Sequence, residues 1–121
     1  MQMMAPVAGT EGEAWDALTA SVGLKGLSVG QGWTSPAGVP AFGGVAEYFS
    51  ESPYDALLRL DKPGPGVAAL GAFNVGGQSM VALSCFHYGD QAAETVARET
   101  PRWQTWFQAR FPMPAEPSPS E

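Results

Sequence analysis

Residues 67–88 read VAALGAFNVGGQSMVALSCFHY: two apolar runs joined at Gly76-Gly77. A Gly-Gly pair between β-prone runs signals a two-residue hairpin, because both turn residues need positive φ and only glycine takes it freely. Such a turn pairs Val75 with Gln78 and fixes every later pair: Phe73 with Met80, Gly71 with Ala82, Ala69 with Ser84 and Val67 with Phe86. These residues share one face. On the other, Asn74 opposes Ser79, Ala72 opposes Val81, Leu70 opposes Leu83 and Ala68 opposes Cys85, with His87 continuing that face. Neither face carries a charge. Either protein covers both, or one is a docking surface. If all the helices lie on one side, the other is apolar and exposed, and a dimer or partner is expected there.

Outward from the hairpin, the chain reads as helices flanking a small sheet. Thr10 and Glu13 form a capping box, with Trp15, Leu18 and Val22 on one helical face and Gly23 as the stop, so a helix is predicted over 10–22. Residues 24–34 (LKGLSVGQGWT) alternate weakly among glycines and read as a bulged or edge strand. Residues 35–40 hold two prolines and a glycine and read as a loop.

Residues 41–51 (AFGGVAEYFSE) are ambiguous. Phe42, Val45, Ala46 and Phe49 fit a helical stripe, although Gly43-Gly44 costs such a helix roughly 2 kcal/mol against alanine. The spacing favours a short helix from Val45; the alternative is a strand with Val45, Glu47 and Phe49 on one face. Residues 54–61 (YDALLRLD) alternate as a half-buried strand, with Tyr54, Ala56, Leu58 and Leu60 opposite Asp55, Leu57, Arg59 and Asp61. A helical turn capped at Ser52-Pro53 is the alternative there. KPGPG (62–66) is a turn.

After Tyr88, Asp90 is a good N-cap for a helix that Thr100-Pro101 restarts, and Trp103, Trp106, Phe107 and Phe111 stripe one face. This aromatic helix spans 90–111 and Pro112 ends it. The expected fold is therefore α+β: an antiparallel sheet of about four strands centred on 67–88, packed by helices 10–22 and 90–111. Residues 1–9 read as a flexible leader, 10–112 as a single domain, and 113–121 as a disordered Pro/Ser/Glu tail.

The 121 residues suit one domain that buries roughly two thirds of its unfolded surface. Only 15% are charged, against about 25% in an average domain. The net charge is −6, which favours solubility or a basic partner. Lys25, Arg59, Lys62, Arg98, Arg102 and Arg110 are scattered, so nucleic acid is not expected as a ligand. One cysteine excludes an internal disulfide. The start MQMMAPVAGT lacks a basic and an apolar signal region, and no run approaches the ~20 apolar residues of a membrane span. A cytoplasmic protein without membrane contact is the expectation.

Chemistry-bearing residues are few. Cys85 and His87 share a strand face, about 7 Å apart, too far for direct thiolate–imidazolium activation. The simpler reading is an inert core cysteine and a half-exposed histidine bonded to a backbone carbonyl. A metal site from Cys85, His87 and Glu47 or Asp90 lacks a fourth good ligand, so no metal is expected. Glycines 30–32 and 43–44 match no nucleotide loop, and no serine lies in a nucleophile elbow, so neither a cofactor nor a catalytic residue is assigned. Trp33, Trp103 and Trp106 suit a core or an interface, and Trp33, in a Gly/Ser/Pro loop, is the first candidate for partner contact. The leading expectation is a non-enzymatic small acidic protein-interaction domain (adaptor, chaperone-like or neutralising partner), with homodimerisation through a sheet face as one form it can take. The alternative is a small-ligand binder or enzyme with a pocket near Cys85, His87, Glu47 and Trp33.

Overall fold

The structure is a computed structural model that describes residues 1–40, 42–51, 54–62 and 64–112. The Pro/Ser/Glu tail at 113–121 and the Ser52-Pro53 cap lie outside the described residues. Eight elements follow in order: β1 (Gln2–Pro6), α1 (Glu11–Val22), β2 (Gly32–Thr34), β3 (Gly43–Glu51), β4 (Tyr54–Lys62), β5 (Gly66–Val75), β6 (Gln78–His87) and α2 (Ala92–Arg110). The strands form one six-stranded antiparallel sheet in the order β1-β6-β5-β4-β3-β2.

The β5–β6 hairpin adopts the register set by its turn, from Val75 opposite Gln78 to Val67 opposite Phe86. Gly76 and Gly77 have φ of 58° and 87°, and the Gly77 N–H donates to Asn74 Oδ1 at 3.0 Å. The capping box of α1 is present: Glu13 N–H donates to Thr10 Oγ1 at 3.1 Å and Thr10 N–H to Glu13 Oε1 at 3.0 Å.

Six strands replace the expected four, and two corrections account for the difference. The leader is not loose at residues 2–6. It forms edge strand β1 and pairs antiparallel with β6, Met3 opposite Leu83 and Ala5 opposite Val81. Met3 and Ala5 point into the core, so burial holds down a segment with no turn chemistry of its own. Residues 43–51 are a strand, not a short helix from Val45. A bulge between Ala46 and Tyr48 inserts Glu47 into the ladder. It changes the parity of the inward side chains, so Phe42, Ala46 and Phe49 face the core at spacings of four and three. That spacing imitates a helical stripe. At Gly44 the strands approach so closely that a Cβ would run into the Arg59 carbonyl.

Two further expectations are corrected. Of residues 24–34, only Gly32–Thr34 is strand. α2 does not restart at Thr100-Pro101: it runs unbroken through Pro101, and its N-cap is Gln91, which makes no side-chain capping bond, rather than Asp90.

Both helices lie on the same face of the sheet. Trp15, Leu18 and Val22 of α1 and Trp103 and Phe107 of α2 join one core with Leu58 and Leu60 of β4, Ala68 and Leu70 of β5, and Val81, Leu83 and Cys85 of β6. Trp103 is the largest fully buried side chain. The tryptophan pair of α2 and the loop around Phe42 close the β2 end of this core.

Candidate functional site

The second face of the sheet is left open by this arrangement. Across β1, β6 and β5 it presents Gln2 and Met4; Gln78, Met80, Ala82, Ser84 and Phe86; and Val67, Ala69, Gly71, Phe73 and Val75, with no charged residue among them. Of the seven large hydrophobic residues that are exposed among the described residues, five (Met4, Tyr48, Leu57, Val75 and Phe86) belong to this face; the other two, Val29 and Tyr88, sit in loops. Phe86 is 56% exposed and Leu57 40%. Half-buried Phe73 and Met80 oppose one another nearer the hairpin turn, next to the small residues Gly71 and Ala82. Among the described residues of this face, charge appears at the far side, where Asp55, Arg59 and Asp61 of β4 and Glu47 of β3 alternate with the apolar positions. Arg59 Nε lies 3.3 Å from Glu47 Oε1, an exposed pair at the border of the apolar area.

The candidate residues of the sequence are distributed over both faces. Glu47 is on the open face, in the bulge, paired with Arg59. Cys85 is on the core face and buried; its thiol pKa is pushed up to about 12 because burial penalises the thiolate. His87 ends the same strand, half-buried, with Nδ1 3.3 Å from the Pro65 carbonyl, a contact that a protonated Nδ1 makes as donor. Trp33 is on β2, separated from β6 by three strands, roughly 19 Å across the ladder. The pocket drawn from Cys85, His87, Glu47 and Trp33 is therefore not assembled.

The structure does bring the tryptophans together. Trp33 meets Phe42 edge-to-face at 4.8 Å, Phe42 meets Trp103 at 4.9 Å, and Trp103 meets Trp106 at 5.4 Å. The Trp33 indole N–H donates to the Gly23 carbonyl at 3.2 Å and the ring is only 7% exposed. Trp33 and Trp103 are thus buried in the core. Trp106 stands at the rim, with the Arg110 guanidinium 5.9 Å from its ring centre.

Tyr48, Leu57, Phe86 and Met4 are the surface residues that the sequence left unassigned. The signal was present for Leu57, an apolar residue on the polar side of an alternating strand. It was hidden for Tyr48 by the bulge and for Met4 by the loose look of the leader. A further unassigned residue, on the other side of the molecule's core, is Glu99 of α2, buried to 2% exposure. Its Oε2 accepts from Arg98 Nε at 2.9 Å and Arg102 Nη1 at 3.5 Å, while Oε1 has no partner. Among the described residues no three His, Cys, Asp or Glu side chains gather as metal ligands, and no helix is long and apolar enough to cross a membrane.

No protein-family model matches the chain, and no curated protein sequence matches it. Among the solved structures that resemble it in fold are two at low identity. One is the Aha1 dimer from Colwellia psychrerythraea, at 11% identity and a TM-score of 0.55, covering 95% of this chain and 98% of that one. The other is DynU16, a protein of the dynemicin biosynthetic locus, at 14% identity and a TM-score of 0.58, covering 93% of this chain. This chain spans 48% of DynU16, about half its length. Identities this low show a shared α+β fold and nothing finer.

Proposed function

We propose that this protein is a non-enzymatic interaction domain that pairs with a second copy of itself through the open face of β1, β6 and β5. The observation that carries this reading is the uncharged outer surface of those three strands, with Met4, Phe86 and Val75 exposed on it. A chain of net charge −6 repels its own copies everywhere else. The uncharged face is where two copies meet without bringing like charges together. Twisted sheets stack face to face about 10 Å apart, so two such faces can interdigitate Phe73, Met80 and Phe86 over their alanine and glycine floors. A fold relative solved as a dimer is consistent with this reading.

Sedimentation velocity or size-exclusion with light scattering tests it. The expected result is a dimer at micromolar to tens-of-micromolar concentration, and a monomer with an unchanged circular dichroism spectrum for Phe86→Glu. Val29→Glu, on a loop away from the face, should remain dimeric. A monomeric wild type at about 200 µM, well above the Kd that marginal interfaces reach, would sink the proposal. So would a dimer that Phe86→Glu leaves intact.

A further inference from the structure

Away from the open sheet face, an open cleft of about 450 Å³ lies between α1, the turn that follows it and the far end of β3. That volume is in the range of small-molecule sites, which are mostly apolar with a few polar groups that set orientation. Trp15 (7% exposed) and Leu24 (1%) form its floor, and the half-buried Leu27 and Phe49 its walls. Two exposed groups of opposite charge line the same cleft: Asp16, next to Trp15 on α1, and Lys25, in the turn after the helix.

These two charges are unspent. Among the described residues neither side chain enters an ion pair or a hydrogen bond, and they do not pair with each other. The protein therefore holds a carboxylate and an ammonium apart at one aromatic recess. A ligand with only an anionic group gains Lys25 and is opposed by Asp16; one with only a cationic group meets the reverse. A ligand bearing both is matched by both. The apolar floor and walls suit a flat ring between them, where an indole and a benzene ring offer edge or stacked contacts.

We infer that the cleft binds a free aromatic α-amino acid, its ring between Trp15 and Phe49, its carboxylate at Lys25 and its ammonium at Asp16. An exposed, small site of this kind holds a ligand of about a dozen heavy atoms with a Kd of roughly 0.1–1 mM.

Titration of the full chain with L-phenylalanine, followed by ¹H–¹⁵N NMR shifts, tests the inference. Saturable shifts should centre on Trp15, Lys25 and Phe49. Phenethylamine, which lacks the carboxylate, and 3-phenylpropionate, which lacks the ammonium, should each bind about threefold to tenfold more weakly, as loss of an exposed ion pair implies. L-Alanine, which keeps both charges and lacks the ring, should bind more weakly still. Lys25→Ala should weaken L-phenylalanine while leaving phenethylamine no weaker, since its opposing charge is gone, and Asp16→Asn should weaken L-phenylalanine while leaving 3-phenylpropionate no weaker. Both substitutions are at exposed positions and leave the core intact. No saturable binding at about 10 mM, equal affinity for the three aromatic compounds, or shifts centred elsewhere would each overturn it. Phe86→Glu should leave this binding unaltered, so the cleft and the sheet face stand or fall separately.

Discussion

Cys85 shows how one residue's surroundings decide between chemistry and packing. It lies on the core face of β6, two residues before the strand's end, 1% exposed, and its thiol is pushed up to about 12 by the loss of water around the thiolate. A thiolate is the reactive form, so at neutral pH this cysteine carries almost none of it. The expected outcome is that an aromatic disulfide reagent at about pH 8 labels the folded protein only as fast as the sheet opens, and labels it at once in denaturant. Fast stoichiometric labelling of the folded protein would contradict the burial described here. At the other end of the size scale of residues, Gly44 has no room for a methyl group against the Arg59 carbonyl. Gly44→Ala is expected to destabilise the protein by roughly 2–4 kcal/mol, read as a fall in the denaturation midpoint, because backbone must move to accept it. Both residues were visible in the sequence only as types. That Cys85 is buried followed from its apolar neighbours; that Gly44 marks a close strand approach did not, since the same Gly-Gly pair also reads as a weak spot in a helix.

At the scale of elements, what was legible depended on whether local chemistry and tertiary pairing agreed. The capping box at Thr10 and the Gly-Gly turn of the hairpin act within a few residues, and both formed as the sequence indicated. β1 and β3 are decided at long range, by β6 and β4, and a single inserted residue at Glu47 gave β3 a false helical period. α2 is the opposite case. Thr100-Pro101 has the local look of a helix start, yet the helix runs through it because Thr95, Glu99, Trp103 and Phe107 bury one continuous stripe. Proline has no N–H to give the carbonyl four residues back, and its ring crowds that turn. Pro101→Ala is therefore expected to raise stability by about 1–3 kcal/mol, seen as a higher melting temperature with unchanged helix content at low temperature. The first turn of α1 has a pH signature as well. Hydrogen bonds from the Thr10 backbone N–H, and then from its hydroxyl, hold the Glu13 carboxyl below its usual value of 4.5. A carboxyl whose folded pKa is depressed stabilises the fold above its unfolded pKa and loses that contribution as pH falls through the folded one. Glu13→Gln should therefore flatten the loss of stability below about pH 4.5, in urea melts taken along a pH series.

For the whole molecule, the two faces of the sheet differ in what covers them. The helix-covered face gathers Trp103, Phe42, Leu18 and the strand leucines into the core, and the bare face leaves Met4, Phe73, Met80 and Phe86 without helix cover. The sequence disclosed that both faces of the hairpin are uncharged, and the placement of both helices on one side selects which face is left. Self-association through that face has an electrostatic consequence that distinguishes it from association through charged groups. Each copy carries a net charge of −6, so bringing two together opposes the apolar contact with a repulsion that salt screens over a Debye length of about 10 Å at 0.1 M. The apolar contact itself involves no charge on β1, β6 or β5 and does not weaken with salt. Raising sodium chloride from about 20 mM to about 500 mM should therefore tighten the dimer, by roughly threefold to tenfold in Kd, in sedimentation runs at fixed protein concentration. An interface built on the Glu47–Arg59 border or on other ion pairs would respond with the opposite sign, because the same screening would weaken its attraction. A dimer that dissociates as salt rises would place the contact on the charged β3–β4 half of the sheet and remove it from the hairpin.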